Sequence, residues 1–492
     1  MLTSNPIILQ LLALLHAHGV HDVVVCPGSR DASIVHSIID CGLFAVHPIT
    51  DERSAGFFAI GLAQHYPRPV AVIVTSGSAL ANLYPAACEA YYQQIPLILI
   101  SADRPAQWVG QMDGQTMPQH GALGQMVRKS VNLATDNLWH ANRLINEAIL
   151  ETMHHVCGPV HINIPVSEPI YDFTTKALPQ TRVIRRIQWQ DSIELETARE
   201  RVSSYHRILI LIGQMPYGDF RLQQLDRSYP NIVAENLSNL TPNDFTNSYL
   251  VDWGEVKPFD LVITMGGHLT DKRMKQWMRA NPPREHWHVS PDGAIADLFC
   301  CQSLAIEAEA LDFLMNMPCL KRKIQLPLRQ REESPLLRRF FSLLPYHSCV
   351  HLSNSTAIRM AQLSELDVMH IQCNRGINGI EGSMSTAVGY ATAVSGMPVY
   401  LVIGDLSFFY DQNALWNTHL PENLHILLIN NGGGAIFNTL PLPDNSVSRD
   451  AIMGNHHLTA HHVAEQYGLR YLSGEDQMEE FVSSRQPVIL EI

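Results

Sequence analysis

The sequence predicts an α/β protein of three domains, each a parallel sheet flanked by helices, and three observations carry that expectation. Short runs rich in Val, Ile and Leu alternate with helix-like stretches, the pattern of βαβ units whose strands are buried on both faces. The length of 492 residues exceeds what one hydrophobic core supports. The first and last thirds of the chain also repeat one order of strands, loops and helices.

In chain order, Pro6 to Leu15 is apolar and reads as a first helix, with proline at its start. A strand over Val23–Cys26 follows. Thr50-Asp51-Glu52-Arg53 then precedes a helical run, Ser54 to Gln64, rich in the small residues Ala55, Gly56, Ala59, Gly61 and Ala63. Glu52 falls at or near that helix start, where the macrodipole favours a carboxylate, and capping is its simplest reading on sequence physics alone. Strands over Val70–Thr75, Leu97–Ser101 and Val160–Ile164 complete a first domain, residues 1–172, which fades at Pro169-Ile170-Tyr171-Asp172. The middle domain, 173–335, has strands over Ile208–Ile212, Leu261–Met265 and His286–Val289, and ends in a charged linker, Lys321 to Pro335. The third domain, 336–492, carries apolar runs over Val399–Ile403 and Leu424–Ile429. A shift of 329 positions lays Glu52 on Glu381, Val70 on Val399, Ser78 on Ser407 and Leu97 on Ile426 without a gap, which suggests duplicated domains. On that alignment Asp405 faces Ser76 and Asn431 faces Ala102.

Composition narrows the class. The net charge of −13 argues against a nucleic-acid partner, because phosphate backbones are bound by basic surfaces. No apolar stretch reaches membrane-span length, and the start lacks the basic residues of a signal peptide, so a cytoplasmic protein is expected. Nine cysteines without a CxxC pair read as reduced thiols. The histidine doublets His154-His155, His456-His457 and His461-His462 lack an HExxH pattern and read as surface or capping residues.

The most informative stretch is Gly404-Asp405-Leu406-Ser407, followed 26 positions after Asp405 by Asn431 in Asn430-Asn431-Gly432. Each half follows a buried-strand run. Adjacent strands ending there would set a carboxylate and an amide oxygen at the carboxyl edge of a parallel sheet. A hard cation such as Mg²⁺ takes those oxygens while keeping phosphates in its shell. The spacing resembles the diphosphate-binding motif of thiamine-diphosphate enzymes. Further motifs occur in order along the chain: Asp51-Glu52-Arg53, Thr75-Ser76-Gly77-Ser78-Ala79-Leu80-Ala81-Asn82, Ser101-Ala102-Asp103-Arg104-Pro105, Asp271-Lys272-Arg273 and Asn374-Arg375-Gly376. With Asn430-Asn431-Gly432-Gly433 the set resembles, over nearly the whole chain, the 2-succinyl-5-enolpyruvyl-6-hydroxy-3-cyclohexene-1-carboxylate synthases, thiamine-diphosphate transferases of menaquinone biosynthesis.

The resemblance implies a pyrimidine-binding domain first, a diphosphate- and metal-binding domain last, and an active site between subunits of a homodimer or homotetramer. It implies decarboxylation of 2-oxoglutarate and 1,4-addition of the resulting carbanion to isochorismate. Carried over by residue, Glu52 becomes the carboxylate on the aminopyrimidine of thiamine diphosphate. Asp405, Asn431 and the Gly433 carbonyl hold Mg²⁺, with Mn²⁺ as the alternative. Ile380 is the apolar wedge under the bent cofactor, Ile436 and Phe437 also contact it, and Gln115 lies near the reacting centre. Both substrates are dicarboxylates, for which the planar arginine fork is suited. Ser355, Arg359 and Arg375 are assigned to the 2-oxoglutarate-derived part, and Ser29, Arg30, Arg104, Lys272 and Arg273 to isochorismate. The chain departs from the family pattern at Gly114 and at Met117-Pro118-Gln119-His120, beside Gln115. Two alternatives stay open at this stage: another thiamine-diphosphate carboligase or decarboxylase, and a non-catalytic cofactor-binding homologue. A dinucleotide-binding protein is disfavoured, since neither Gly432-Gly433-Gly434 nor Gly266-Gly267 forms a GxGxxG turn.

Overall fold

The computed structural model describes residues 1–66, 68–184, 193–216, 231–240, 245–294, 296–318, 320, 323–394, 396–417, 420–439 and 446–492. It contains three six-stranded sheets, and every described strand pairing within them is parallel. The first holds β1 (Asp22–Val25), β2 (Ala45–Pro48), β3 (Val70–Val74), β4 (Leu97–Asp103), β5 (Lys129–Asn132) and β6 (Val160–Pro165) in the order β2-β1-β3-β4-β6-β5. The second holds β7 (Ile208–Ile212), β8 (Ile232–Ala234), β9 (Thr246–Asn247), β10 (Leu261–Met265), β11 (Glu285–Ser290) and β12 (Gln302–Glu307) in the order β12-β11-β10-β7-β8-β9. The third holds β13 (Cys349–Leu352), β14 (His370–Gln372), β15 (Val399–Gly404), β16 (Leu424–Ile429), β17 (Arg470–Ser473) and β18 (Val488–Glu491) in the order β14-β13-β15-β16-β18-β17. The α/β class expected from the sequence is therefore observed, and the first and third sheets share one topology.

The repeat needs one correction. Val70 pairs with Leu97 in the first sheet, whereas Val399 pairs with Leu424 in the third. The offset is 329 positions for β3 and β15 but 327 for β4 and β16, so the third copy is two residues shorter between those strands. In sheet register the counterpart of Asn431 is Arg104, not Ala102. An ungapped comparison misses this because both copies keep an apolar strand after a helical segment, whatever the loop length.

The chain divides into two compact units, Met1–Ile187 with Gly376–Gly474 and Ser483–Ile492, and Gln188–Arg375 with Glu475–Val482. In the first unit, every residue of β3 and β4 is buried, as suits central strands covered on both faces. Leu11, Leu12 and Leu15 of the helix Pro6–Ala17 share one buried core with Ile98, Ile100 and Ile162 of that sheet. The helix Glu52–His65 crosses the helix Ser383–Ala393 at backbone distance: a Cβ on Gly61 would stand 2.1 Å from Thr386 O, and one on Gly389 2.1 Å from Phe58 O. The small residues of that segment are thus a helix–helix contact surface. In the second unit, β10 is wholly buried between β7 and β11, and the Asp271-capped helix Lys272–Ala280 buries Met274 and Met278.

The first two residues of the predicted linker lie outside the described part. Its remainder includes a bridge from Leu328 to Val251 and ends at the helix Pro335–Leu343. Among the described residues no helix is long and apolar enough to cross a membrane.

Candidate active site

Glu52 opens its helix, but it does not cap it. Asp51 is the N-cap residue: its Oδ1 accepts the backbone N–H groups of Arg53 at 2.9 Å and Ser54 at 3.2 Å. Both neighbours of Glu52 are pinned. Asp51 Oδ2 accepts from Asn413 Nδ2 at 2.8 Å, and Arg53 donates to Tyr410 O at 2.9 Å with its guanidinium 4.7 Å above the Tyr410 ring. The Glu52 carboxylate is left partly exposed, with a 3.4 Å contact from Asn82 Nδ2. The capping role read from the sequence therefore belongs to Asp51, and among the described residues the Glu52 carboxylate has only the Asn82 contact. Around it, burial and the charges of Glu52, Asp31 and Asp51 hold the Cys26 thiol well above its ordinary range, and burial pushes Asp31 up to about 6.

Gln115 lies in an exposed turn with φ of 54°, packed so that a Cβ on Gly77 would come 3.2 Å from its backbone. Ser29 is exposed. Arg30 is not: its guanidinium is buried, donating to Val166 O at 2.9 Å and to Glu168 Oε1 at 3.2 Å. Arg104 is half-buried, 3.5 Å from Asp113. Among the isochorismate candidates in this unit, Arg30 is thus already committed to protein partners.

At the carboxyl edge of the third sheet, Gly404 of β15 pairs with Ile429 of β16, so the two motifs leave adjacent strands side by side as the sequence suggested. Asp405 is 3 % exposed. Its Oδ1 accepts from Leu406 N at 2.7 Å, and its Oδ2 accepts from Asn431 N at 3.1 Å and Gly433 N at 2.9 Å. His456 Nε2 stands 3.5 Å from the same oxygen. The turn needs glycine: Gly432 has φ of 75° and Gly433 of 151°. The Asn431 side chain is exposed beside this stitched turn, and Ile436 and Phe437 follow in the helical turn Ala435–Thr439. Ser407 donates to Ile380 O, which ties the segment bearing the exposed Ile380 side chain to the same strand end. A carboxylate, an amide oxygen and a backbone carbonyl from adjacent strand ends are the donor set that a hard divalent ion takes.

In the second unit, Lys272 and Arg273 sit exposed at the start of a helix following β10. Arg273 donates to Tyr249 O at 3.0 Å. Burial pushes the Tyr249 phenol up to about 12, the Glu235 charge adding to that and the Arg359 charge opposing it. Arg375 donates to Asn354 Oδ1 at 2.9 Å, and its charge adds to the burial that lowers His268. Ser355 precedes the helix Thr356–Ala361 in a strained conformation, φ 75°. His268 is thereby within the electrostatic range of Arg375, and Tyr249, whose carbonyl holds Arg273, within that of Arg359. Among the described residues neither Arg359 nor Arg375, nor Lys272, has a carboxylate ion-pair partner.

A family model described as the N-terminal TPP-binding domain of thiamine pyrophosphate enzymes matches residues 9–129. A 2-succinyl-5-enolpyruvyl-6-hydroxy-3-cyclohexene-1-carboxylate synthase of Phocaeicola vulgatus is 44% identical, over 100% of this chain and 96% of that protein. One of Bacteroides thetaiotaomicron is 44% identical with the same coverage. The chain belongs to this synthase family.

It is therefore a thiamine-diphosphate-dependent transferase of menaquinone biosynthesis, joining a succinyl unit derived from 2-oxoglutarate to isochorismate with loss of CO₂. The fold agrees. A thiamine diphosphate-dependent 4-hydroxybenzoylformate decarboxylase of Rhodococcus jostii superposes with TM-score 0.78 at 18% identity, covering 99% of each chain. A benzoylformate decarboxylase of Polynucleobacter necessarius does so with TM-score 0.75 at 17% identity, covering 100% of this chain and 98% of that one.

Several residues around these synthase motifs escaped the sequence reading. Gln119, which lies in the departure from the family pattern, is buried: its Oε1 accepts from Gly77 N at 2.7 Å, and its Nε2 donates to Ala102 O at 3.1 Å and Asn163 Oδ1 at 3.0 Å. Glu89, 1 % exposed, accepts the backbone N–H groups of Gly376 at 2.7 Å and Ile377 at 2.8 Å, and burial raises its carboxyl. A glutamate among the small apolar residues Ala86-Ala87-Cys88-Glu89-Ala90 was the available signal. The histidine doublets divide. His461, His462 and Glu465 lie close together but are fully on the surface, whereas His456 joins the Asp405 site.

Proposed function

We propose that Glu52 activates the bound cofactor, and that Asp405, Asn431 and the Gly433 carbonyl hold its diphosphate through Mg²⁺. The reading rests above all on one observation: Glu52 stands fixed at a helix start whose capping is performed by Asp51, which leaves its carboxylate to act on a ligand. Thiamine diphosphate, when bound, supplies the electron sink that 2-oxoglutarate needs in order to lose CO₂. Glu52 keeps a carboxylate at the aminopyrimidine and so governs the proton on its ring nitrogen. Asp405 sets the turn that presents Asn431, while Ile380, Ile436 and Phe437 give the cofactor an apolar wall.

Ser355, Arg359 and Arg375 receive the carboxylates of 2-oxoglutarate. Ser29, Arg104, Lys272 and Arg273 receive isochorismate, with Gln115 near the reacting centre and Arg30 shaping the pocket from its buried position. Among the described residues Arg359, Arg375 and Lys272 have no carboxylate partner, and such cations suit two dicarboxylate substrates better than the single small 2-oxo acid of a simpler carboligase. Residues 1–172 act as the pyrimidine-binding domain, 173–335 as the central domain and 336–492 as the diphosphate-binding domain. The first and third of these complete one site across a homodimer or homotetramer in the cytoplasm.

The test is loss of isochorismate absorbance with purified protein, thiamine diphosphate, Mg²⁺ and 2-oxoglutarate, comparing the parent with Glu52→Gln. Cofactor-dependent turnover that collapses in the variant supports the assignment. Turnover that survives in Glu52→Gln removes Glu52 from the chemistry.

A further inference from the structure

In the second unit, the carboxyl end of β8 carries Glu235, which is 0 % exposed. Its carboxylate meets the segment just before the helix Lys272–Ala280. Thr270 N reaches both oxygens, at 2.6 and 2.8 Å, Asp271 N donates at 2.8 Å, and Thr270 Oγ1 donates at 2.6 Å. Asp271 then caps the helix through its own Oδ1, accepting from Arg273 N at 3.0 Å and Met274 N at 3.3 Å. A helix N-terminus carries a partial positive charge and free N–H groups that attract anions. Here an internal anion and a cap already satisfy that end. A substrate carboxylate arriving at this point would meet the side chains of Lys272 and Arg273 instead.

A fully buried carboxylate is costly unless its donors are well placed. Among the described residues Glu235 has no ion-pair partner, yet it gathers its donors into a single two-residue stretch. The physical effect is to fix the position of residues 270–271, and with them the direction in which the next two side chains leave the backbone.

We propose that Glu235 is a positioning residue for isochorismate: by clamping Thr270 and Asp271 it sets where Lys272 and Arg273 stand for the acceptor's carboxylates. This rests on the assignment of Lys272 and Arg273 to the acceptor made above. Glu235 itself touches no substrate.

The experiment is steady-state kinetics of Glu235→Gln, Thr270→Val and Lys272→Ala in the full chain with cofactor and Mg²⁺. The 2-oxoglutarate decarboxylation half-reaction is followed separately with an artificial electron acceptor. Glutamine keeps the size of Glu235 but removes its charge and, whichever oxygen it replaces, sets an NH₂ against two groups that now donate to the carboxylate. Glu235→Gln is expected to raise KM for isochorismate on the order of tenfold, with KM for 2-oxoglutarate and the half-reaction rate unchanged. Thr270→Val, which removes one contact only, moves the same constant in the same direction by less, and it decides the matter if Glu235→Gln does not fold. If Lys272→Ala raises KM for isochorismate while both clamp variants leave it alone, the inference is overturned and the acceptor site stands. If Lys272→Ala itself changes nothing, the acceptor assignment fails and the inference with it. A Glu235→Gln variant that slows the half-reaction as much as the full reaction marks a general structural role and overturns the proposal.

Discussion

At residue scale, Asp51 and Glu52 are the pair to separate. Both are carboxylates at one helix start, and the sequence could not divide their work because either would be favoured by the macrodipole. The hydrogen bonds divide it, with Asp51 holding Arg53 N and Ser54 N. Asp51→Ala is therefore expected to cost about 1 kcal/mol of stability through the lost cap. Glu52→Gln is expected to leave the melting temperature near that of the parent while removing turnover. Thermal melts and turnover measured on the same two preparations check the split, and a Glu52→Gln variant that melts early would return the capping role to Glu52. The motif residues were legible because chemistry restricts residue type at the cofactor. Their supports, Gln119, Glu89 and Glu235, were not, because each acts through backbone groups far away in sequence and any buried acceptor of the right reach would serve.

At the scale of elements, the apolar runs gave Ile208–Ile212, Leu261–Met265 and Leu424–Ile429 with their observed bounds. Edge strands such as β2, β5 and β17 escaped, since half-buried strands carry mixed residues and no continuous run. The small residues of the helix Glu52–His65 were visible, but their partner was not. Gly389→Ala tests that crossing. Its methyl group would sit 2.1 Å from Phe58 O, against backbone that cannot step aside, so a loss of about 3 kcal/mol or more is expected in a denaturant melt. An unchanged midpoint would show that the crossing yields. A second test belongs to β6, where His161 is buried between Ser101 Oγ at 2.8 Å and Ser130 Oγ at 3.1 Å. Burial holds its pKa down to about 4. Its folded pKa lies below its unfolded value, so its stabilising contribution is complete above about pH 6.5 and declines as pH falls toward 4. One such histidine costs roughly 2 kcal/mol by pH 5. Burial raises Asp411 to about 6, which has the opposite sign: its contribution is present at low pH and is lost as pH rises through 6. Calorimetric melts of the parent and His161→Gln at pH 7 and pH 5 isolate the histidine, and the variant should lose less on acidification. Equal losses would mean that His161 does not set the acid limb.

At the scale of the whole molecule, an acidic chain of net charge −13 carries Lys272, Arg359 and Arg375, cations that no carboxylate among the described residues claims, and one turn that joins two roles. Asp405 is both a candidate metal ligand and the acceptor that holds the turn through Asn431 N and Gly433 N. Removing it would confound binding with folding. Asn431 separates them, because its side chain is exposed while its backbone N–H makes the structural contact. Asn431→Ala should therefore melt with the parent when no ligand is present. A ligand bound only by the folded state at one hundred times its Kd adds about 2.7 kcal/mol of stability. Thiamine diphosphate with Mg²⁺ should accordingly raise the melting temperature of the parent, and Asn431→Ala should lose most of that rise at the same concentrations. The two measurements come from one titration read by melting temperature, with and without Mg²⁺. A parent that gains nothing would remove the metal-diphosphate site from this turn. A variant that gains as much as the parent would remove Asn431 alone and leave Asp405 and the Gly433 carbonyl to carry the ion.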